Sequence, residues 1–452
     1  MNILIVGAGV VGVALAEQLS IEGHKVAVID RNRSKINELN DKLDVLAVRG
    51  NGAMPSVLKR AGIEAAGMVI AVTDVDEVNL VVGMLASRLG VKHRIVRIRN
   101  REYLEDACVL NLGELGIDHV INPDPAIVDA LARMIEIPGS SDYATLAGGQ
   151  VLMLGFDIAE DSPVVGKTLA ELREVGDTDA FLILYITRGD KVIVPRGADT
   201  IEAGDNIHLL VSADTVQFVS PMVHRRSRKV SEVIIAGASR MGLQLAESIS
   251  DKVEKIFMIE PDAEAAEEAA GRLQKATVLQ GDETSLDVLR EANLETCDMF
   301  CAVTDNDRRN MLSVLLAKKH SDTMTAVLLH NPEYVPVLDS LGVQIVVNPR
   351  LVTVGEILMH VRRGHIHSVT RLAESRAELI EMEASADSPA VKHELKDMNF
   401  PPNALVGAIV RDGVMRIPTG GSKIEPGDIV VVFALPDAIP RIEKLFSRRK
   451  WF

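Results

Sequence analysis

The sequence predicts an α/β chain in which two doubly wound Rossmann-type domains are each followed by a small α+β module. Three observations carry this prediction. The chain opens on an apolar run, Ile3 to Val6, that ends in the turn Gly7-Ala8-Gly9-Val10-Val11-Gly12. Strand-like and helix-like patterns then alternate over more than a hundred residues, as in a parallel sheet covered by helices. Both the opening and the alternation recur at an offset of about 230 residues.

The opening turn has a physical reading. Gly7 permits a sharp exit from the strand, Gly9 leaves room for a pyrophosphate to approach the backbone, and Gly12 allows close packing of the following helix. Val10 and Val11 begin that helix, whose unpaired N–H groups and positive dipole end suit a phosphate. A second apolar run, Val26 to Ile29, stops at Asp30, 18 residues after Gly12. A carboxylate there can accept hydrogen bonds from both ribose hydroxyls and disfavours a 2′-phosphate, so NAD or an adenosine nucleotide fits better than NADP.

The next elements follow in order. Val45 to Val48 reads as a strand ending at Gly50-Asn51, Pro55 to Ala61 as a helix, and Met68 to Val72 as a strand ending at Thr73-Asp74. A helix over Glu77 to Leu89 leads to a strand, Ile95 to Ile98, that carries Arg97. A helix near Tyr103 to Leu110, a short strand ending at Asn122-Pro123 and a helix over Asp124 to Ile135 complete the first domain. Ligands of such sheets bind at the carboxyl ends of the strands, and Asp30, Asn51, Thr73, Asp74 and Arg97 all fall there.

The pattern changes at Pro138-Gly139-Ser140-Ser141. Strands over Val151–Phe156, Phe181–Ile186, Val192–Val194 and Ile207–Val211, with a short helix over Leu169–Val175, form a module without a catalytic-looking cluster. The basic stretch from His224 to Lys229 reads as a linker. Then Gly7, Ala8, Gly12 and Asp30 recur as Gly237, Ala238, Gly242 and Glu260, and Asn51 recurs as Asp282. The string Ala71-Val72-Thr73-Asp74 recurs as Ala302-Val303-Thr304-Asp305, and Gly204-Asp205 as Gly427-Asp428. Four domains are expected, near 1–137, 141–220, 231–362 and 368–452. The second cradle differs where a ligand would notice. Ser239 replaces Gly9 and Leu328 replaces Arg97, while Arg240 and Met241 begin the helix and Arg240 offers a compensating charge. Tighter binding is expected in the first half.

Composition narrows the function. Aromatics make up 3% and the net charge is −15, which disfavours nucleic acid as a partner. Three cysteines imply no disulfide framework, and no apolar run reaches the ~18 residues of a membrane span, so a soluble, cytoplasmic protein is expected. Cys297 and Cys301 read as inert core thiols. His360, His365 and His367 near Arg362 and Arg363 raise a metal site that no carboxylate or thiolate completes. Asp74, Asp76, Asp305 and Asp307 read as helix caps ahead of a cation site. The terminal Arg448-Arg449-Lys450-Trp451-Phe452 suggests an oligomer contact.

With the strings GAGVVG, VID, AVTDVDEVN and AVTDNDRRN in this domain order, the chain resembles the TrkA family of potassium-uptake regulatory subunits over essentially its whole length. That family is built from tandem RCK units, each a nucleotide-binding Rossmann half and a smaller C-terminal half. The resemblance implies a non-enzymatic regulator in a homotetrameric ring, peripheral to the cytoplasmic face of the inner membrane, on a TrkH- or TrkG-type potassium channel subunit. It implies NAD, NADH, ATP or ADP as ligands. By motif match the first site comprises Gly7 to Val11, Asp30, Thr73, Asp74 and Arg97, and the second Gly237 to Met241, Glu260, Thr304 and Asp305. Two alternatives remain: an NAD-dependent oxidoreductase, which would need a His–Asp or Tyr–Lys pair that the small modules do not display, and a nucleotide sensor for another transporter or a transcription factor.

Overall fold

The computed structural model describes residues 1–104, 111–137, 139–175, 181–189, 191–223, 229–361, 366–372, 377–401 and 403–447. The first Rossmann region runs β1 (Asn2–Val6), α1 (Val10–Ile21), β2 (Lys25–Asp30), α2 (Arg33–Lys42), β3 (Leu46–Arg49), α3 (Pro55–Arg60), β4 (Met68–Ala71), α4 (Asp76–Arg88), β5 (His93–Arg97), β6 (His119–Ile121) and α5 (Asp124–Glu136). Its strands form one parallel sheet in the order β3-β2-β1-β4-β5-β6. The order reverses between β1 and β4, which is the switch point where such sheets take ligands. Where the sequence suggests a helix near Tyr103 to Leu110, a single 3₁₀ turn occupies Arg101–Tyr103, and 105–110 lie outside the described residues, as does Cys108.

The first small module contains β7 (Ser140–Leu146), β8 (Val151–Asp157), α6 (Leu169–Val175), β9 (Phe181–Arg188), β10 (Lys191–Ile193), β11 (Asn206–Ser212) and α7 (Val216–Val223). Its antiparallel sheet has the order β10-β9-β11-β8-β7. The edge strand β7 has no counterpart in the sequence reading, because its polar start, Ser140-Ser141-Asp142, resembles a linker.

The second copy follows with β12 (Glu232–Ala236), α8 (Arg240–Ile249), β13 (Lys255–Glu260), α9 (Ala263–Arg272), β14 (Ala276–Gln280), α10 (Leu286–Glu291), β15 (Met299–Ala302), α11 (Asp307–His320), β16 (Met324–Leu328), α12 (Val335–Ser340), β17 (Ile345–Val347) and α13 (Pro349–Val361). Its parallel sheet repeats the first, as β14-β13-β12-β15-β16-β17. The last module holds β18 (Ile366–Arg371), β19 (Glu378–Glu383), β20 (Ala404–Arg411), β21 (Val414–Arg416), β22 (Ile429–Ala434) and α14 (Ile439–Phe446), in an antiparallel sheet ordered β18-β19-β22-β20-β21.

Two compact units result. The first comprises Met1–Asp124 with Arg350–Val361, and the second Pro125–Pro349 with Arg362–Phe452. Most of α5 therefore belongs to the second unit, where Glu136 pairs with Lys252 at 2.6 Å. Most of α13 belongs to the first, where His360 stacks on His119 with ring centroids 3.8 Å apart. Within the second unit the two small modules share one apolar core, in which Met153, Leu184, Tyr185 and Leu210 pack with Leu379, Val410, Val431 and Phe433. Among the described residues, no helix is long and apolar enough to cross a membrane.

Candidate functional site

The first cradle is built from the ends of five strands, β1 to β5. Gly7 leaves β1 with φ +113°, and a Cβ there would lie 3.0 Å from the backbone of Val72 and Thr73, so only glycine fits. A Cβ on Gly12 would lie 1.8 Å from the Gly7 carbonyl oxygen; the turn and α1 interlock through these two positions. Gly9 is different. It is the N-cap of α1 with φ −73°, it supplies no side-chain cap, and a Cβ added to it would meet nothing within 4 Å. The N-terminus of α1, where Val10 is exposed and Val11 buried, thus faces open space with its donors uncapped by any side chain.

Asp30 closes one side. Its Oδ2 accepts from the N–H of Ala8 at 2.7 Å and its Oδ1 from the N–H of Asn32 at 2.7 Å. These bonds fix the carboxylate beside the glycine turn and leave one lone pair on each oxygen for a ribose hydroxyl. Asn51 follows β3 and turns the loop by accepting from the N–H of Ala53 at 3.1 Å.

On the other side of the switch point, Thr73 and Arg97 are joined by a residue the sequence reading left out of the site. Asn79 is 0% exposed. Its Oδ1 accepts from the Thr73 N–H at 2.9 Å and the Thr73 hydroxyl at 2.8 Å, and its Nδ2 donates to the carbonyls of Thr73 at 3.0 Å and Arg97 at 2.9 Å. Thr73 is thereby committed to holding the loop. Its recurrence as Asn310 was the available signal: Asn310 makes the same four bonds, to Thr304 and to the Leu328 carbonyl.

Arg97 is 8% exposed, and its Nε has no hydrogen-bond partner. Its nearest carboxylate, Asp74, stands 3.7 Å away with a side chain that is itself largely exposed. Burial, then the charge of Arg99, pushes the guanidinium pKa down, while Asp74, Asp124 and Asp76 oppose the shift. A buried cation so weakly paired is suited to an anion.

The second cradle keeps the frame and changes the lining. Gly237 repeats the turn at φ +107°, and Glu260 repeats Asp30, accepting from the N–H groups of Ala238 at 2.8 Å and Asp262 at 3.0 Å. Ser239, however, stands where the first copy has Gly9. Its Oγ accepts from the Gly242 N–H at 3.2 Å and donates to the Val303 carbonyl at 2.6 Å, capping α8 ahead of Arg240 and the buried Met241. Asp282 accepts from the N–H and hydroxyl of Thr284, which holds its carboxyl below the usual range, and it lies 3.3 Å from Arg309. Asp305 is exposed.

Several expectations are corrected. Asp76 and Asp307 do not cap their helices, whose N-caps are Val75 and Asn306. Each carboxylate instead clamps the loop after the next strand: Asp76 accepts from the N–H groups of Arg99 and Asn100, Asp307 from those of His330 and Asn331. His360 stacks on His119, His367 lies 3.3 Å from Glu383, and His365 with Arg362 and Arg363 lies outside the described residues. Among the described residues, no three His, Cys, Asp or Glu groups are placed to hold a metal. A His–Asp pair does exist in the first small module, where His208 Nε2 lies 3.4 Å from Asp142 Oδ2, but His208 is 4% exposed and stacked on Tyr185, sealed in the core. Cys297 and Cys301 are buried, and desolvation pushes the Cys297 thiol up to about 11 and the Cys301 thiol up as well, as inert core groups require. Residues 224–228 of the basic linker from His224 to Lys229, and the terminal 448–452, lie outside the described residues.

Comparison with known proteins agrees with the repeat. A TrkA-N domain model matches residues 3–123 and 233–349, and a TrkA-C domain model matches 153–221 and 379–447. The Trk system potassium uptake protein TrkA of Azorhizobium caulinodans is 35% identical over 451 residues, covering 99% of this chain and 98% of that protein. A TrkA homolog of Archaeoglobus fulgidus is 33% identical over 450 residues, covering 99% and 100%. The GsuK RCK domain superposes with a TM-score of 0.59 at 16% identity, over 98% of this chain and 94% of that one. The GsuK channel bound to NAD gives 0.58 at 16% identity, over 98% and 78%, a likeness of fold. With two TrkA-N and two TrkA-C matches and full-length relatives above 30% identity, the chain belongs to the TrkA family of Trk potassium uptake proteins.

Proposed function

We propose that this chain is a regulatory subunit of a potassium uptake system, peripheral on the cytoplasmic face of the inner membrane. It binds NAD, NADH, ATP or ADP in its first Rossmann cradle and through that binding gates a membrane channel subunit of the TrkH or TrkG type. In this reading the protein is a homotetramer, its working parts are four domains near 1–137, 141–220, 231–362 and 368–452, and no bond in the ligand is broken. The observation that carries it is the open, uncapped N-terminus of α1 at Gly9, with the weakly paired, buried Arg97 at the end of a neighbouring strand. The likeness to a channel solved with NAD supports the ligand class.

The gating step follows from linkage. A nucleotide shifts a two-state assembly only by its difference in affinity for the two states. A cradle whose walls come from β1, β2, β3, β4 and β5 can supply that difference if one wall moves. Moving such an equilibrium from 1:99 to 99:1 takes about 5.5 kcal/mol, a sum that several cradles in one ring can provide.

Gly9→Asp tests the reading. The added side chain has space, and aspartate is a favoured N-cap, so the fold should survive. Its charge would sit where the pyrophosphate must come, and affinity for all four nucleotides should fall by at least about tenfold by isothermal titration, a loss of about 1.4 kcal/mol. Unchanged affinity, or steady turnover of NADH by the parent protein, would overturn the reading. Recovery of the chain with a potassium channel subunit from detergent-solubilised membranes tests the partner.

A further inference from the structure

We infer that the second cradle is closed by its own side chains, so that the chain carries a single adenine nucleotide, in the first copy. This rests on the nucleotide reading above and adds a count and a cause to it.

Three positions change together between the copies. In the first, Val6 ends β1, Gly52 lies in the loop after β3, and Val78 lies in the first turn of α4. A Cβ on Gly52 would lie 2.2 Å from Cγ1 of Val6, so this loop position admits no side chain while valine stands beneath it. In the second copy the same positions hold Ala236, Glu283 and Arg309. The valine methyls are gone, and a side chain enters the space: Glu283 is 0% exposed. Arg309 meets it as a two-pronged fork, Nε to Oε1 at 2.6 Å and Nη2 to Oε2 at 2.6 Å, with Asp282 adding a contact at 3.3 Å. The bond to Glu283 is the main cause of the raised pKa of this guanidinium.

The position of the fork matters more than its strength. Glu283 belongs to the loop after β14, and Arg309 to the helix that follows β15. The sheet order reverses between β12 and β15, so the fork ties the loop after β14, on one side of that reversal, to the first turn of α11, on the other. Gly52 and Val78 have no side-chain atoms that could make such a tie. At the phosphate end, Ser239 Oγ has already taken the Gly242 N–H that a ligand would use. A nucleotide entering here would have to break a two-pronged, hydrogen-bonded ion pair to a fully buried carboxylate and displace a cap, losses for which Leu328, standing in place of Arg97, offers no return.

Equilibrium dialysis of the full-length protein against saturating labelled NAD and, separately, ADP counts the sites. The parent should bind one equivalent per chain and Gly9→Asp none. In the Gly9→Asp background, reopening the second cradle with Ala236→Val, Ser239→Gly, Glu283→Gly and Arg309→Val should restore one equivalent. Two equivalents in the parent, or one retained by Gly9→Asp, would overturn the inference. If the parent binds nothing but the reopened chain binds one, the closure stands and the reading of the first cradle fails; if neither binds, both fail. Should the reopened variant melt early by circular dichroism, the Gly9→Asp count decides alone, since it leaves the second copy untouched.

Discussion

Asn79 illustrates how a single amide can hold a site together without facing the ligand. Its four bonds join the end of β4, the first turns of α4 and the end of β5; the three to Thr73 are part-buried and the one to the Arg97 carbonyl is fully buried. Asn79→Ala should therefore cost about 2–4 kcal/mol in a denaturant melt, because it strands the Thr73 N–H and the Arg97 carbonyl. It should also weaken nucleotide binding by loosening the loop that carries Thr73 and Asp74. At this scale the sequence was informative about which residues cluster and silent about their division of labour. The turn at Gly7 and the close packing at Gly12 could be read because glycine geometry is local. Thr73 could not, because its hydroxyl's partner lies six residues on. The aspartates at 76 and 307 were misread for the same reason: their partners are N–H groups across a strand, and a helix-cap pattern looks identical from the chain alone.

Among the elements, α13 is the most consequential. The sequence shows its apolar periodicity but not which sheet it covers, since that depends on how the chain crosses between units. Residues 350–361 belong with the first unit, and two groups that titrate are half-buried there. Burial, with the charge of Asp124 adding to it, pushes Glu356 up to about 7, while burial and then His119 push His360 down to about 4. The signs oppose. Glu356 favours the folded state fully below its ordinary value of 4.5, and that contribution is lost as pH rises through about 7. His360 favours it fully above 6.5, and that contribution is lost as pH falls through about 4. Glu356→Gln should raise the melting temperature by a few degrees at about pH 8 and change it little at about pH 5. An equal shift at both would mean that the carboxyl is not the titrating group. The edge strand β7 marks the other limit of legibility: a strand that opens Ser-Ser-Asp and is completed by its neighbour β8 carries no alternation strong enough to announce itself.

Over the whole molecule the duplication extends to details that have nothing to do with ligands. Arg188 forks onto Asp205 in the first small module as Arg411 forks onto Asp428 in the second, with Nε–Oδ1 distances of 2.7 and 2.8 Å, and each arginine also meets a glutamate, Glu202 or Glu425. These pairs pin the same strand to the same turn in both modules, and Arg411→Ala should destabilise the second unit by about 3–5 kcal/mol in a melt by exposing a buried Asp428 without its partner. The copies differ in how the cradles are lined, which is why the repeat was legible as architecture while the lining of the second cradle required coordinates. Contacts such as Arg309 with Glu283 join residues 26 apart that have no counterpart in the first copy.

The assignment of Arg350–Val361 to the first unit also bears on how such a gene can change. A product stopped after residue 223 would leave Met1–Asp124 without the helical segment that finishes it, and should appear as an aggregating or early-melting species beside the intact protein. Two ancestral halves, once fused and cross-laced in this way, can no longer be parted at the seam. Either may drift in what it holds, but neither is free to leave.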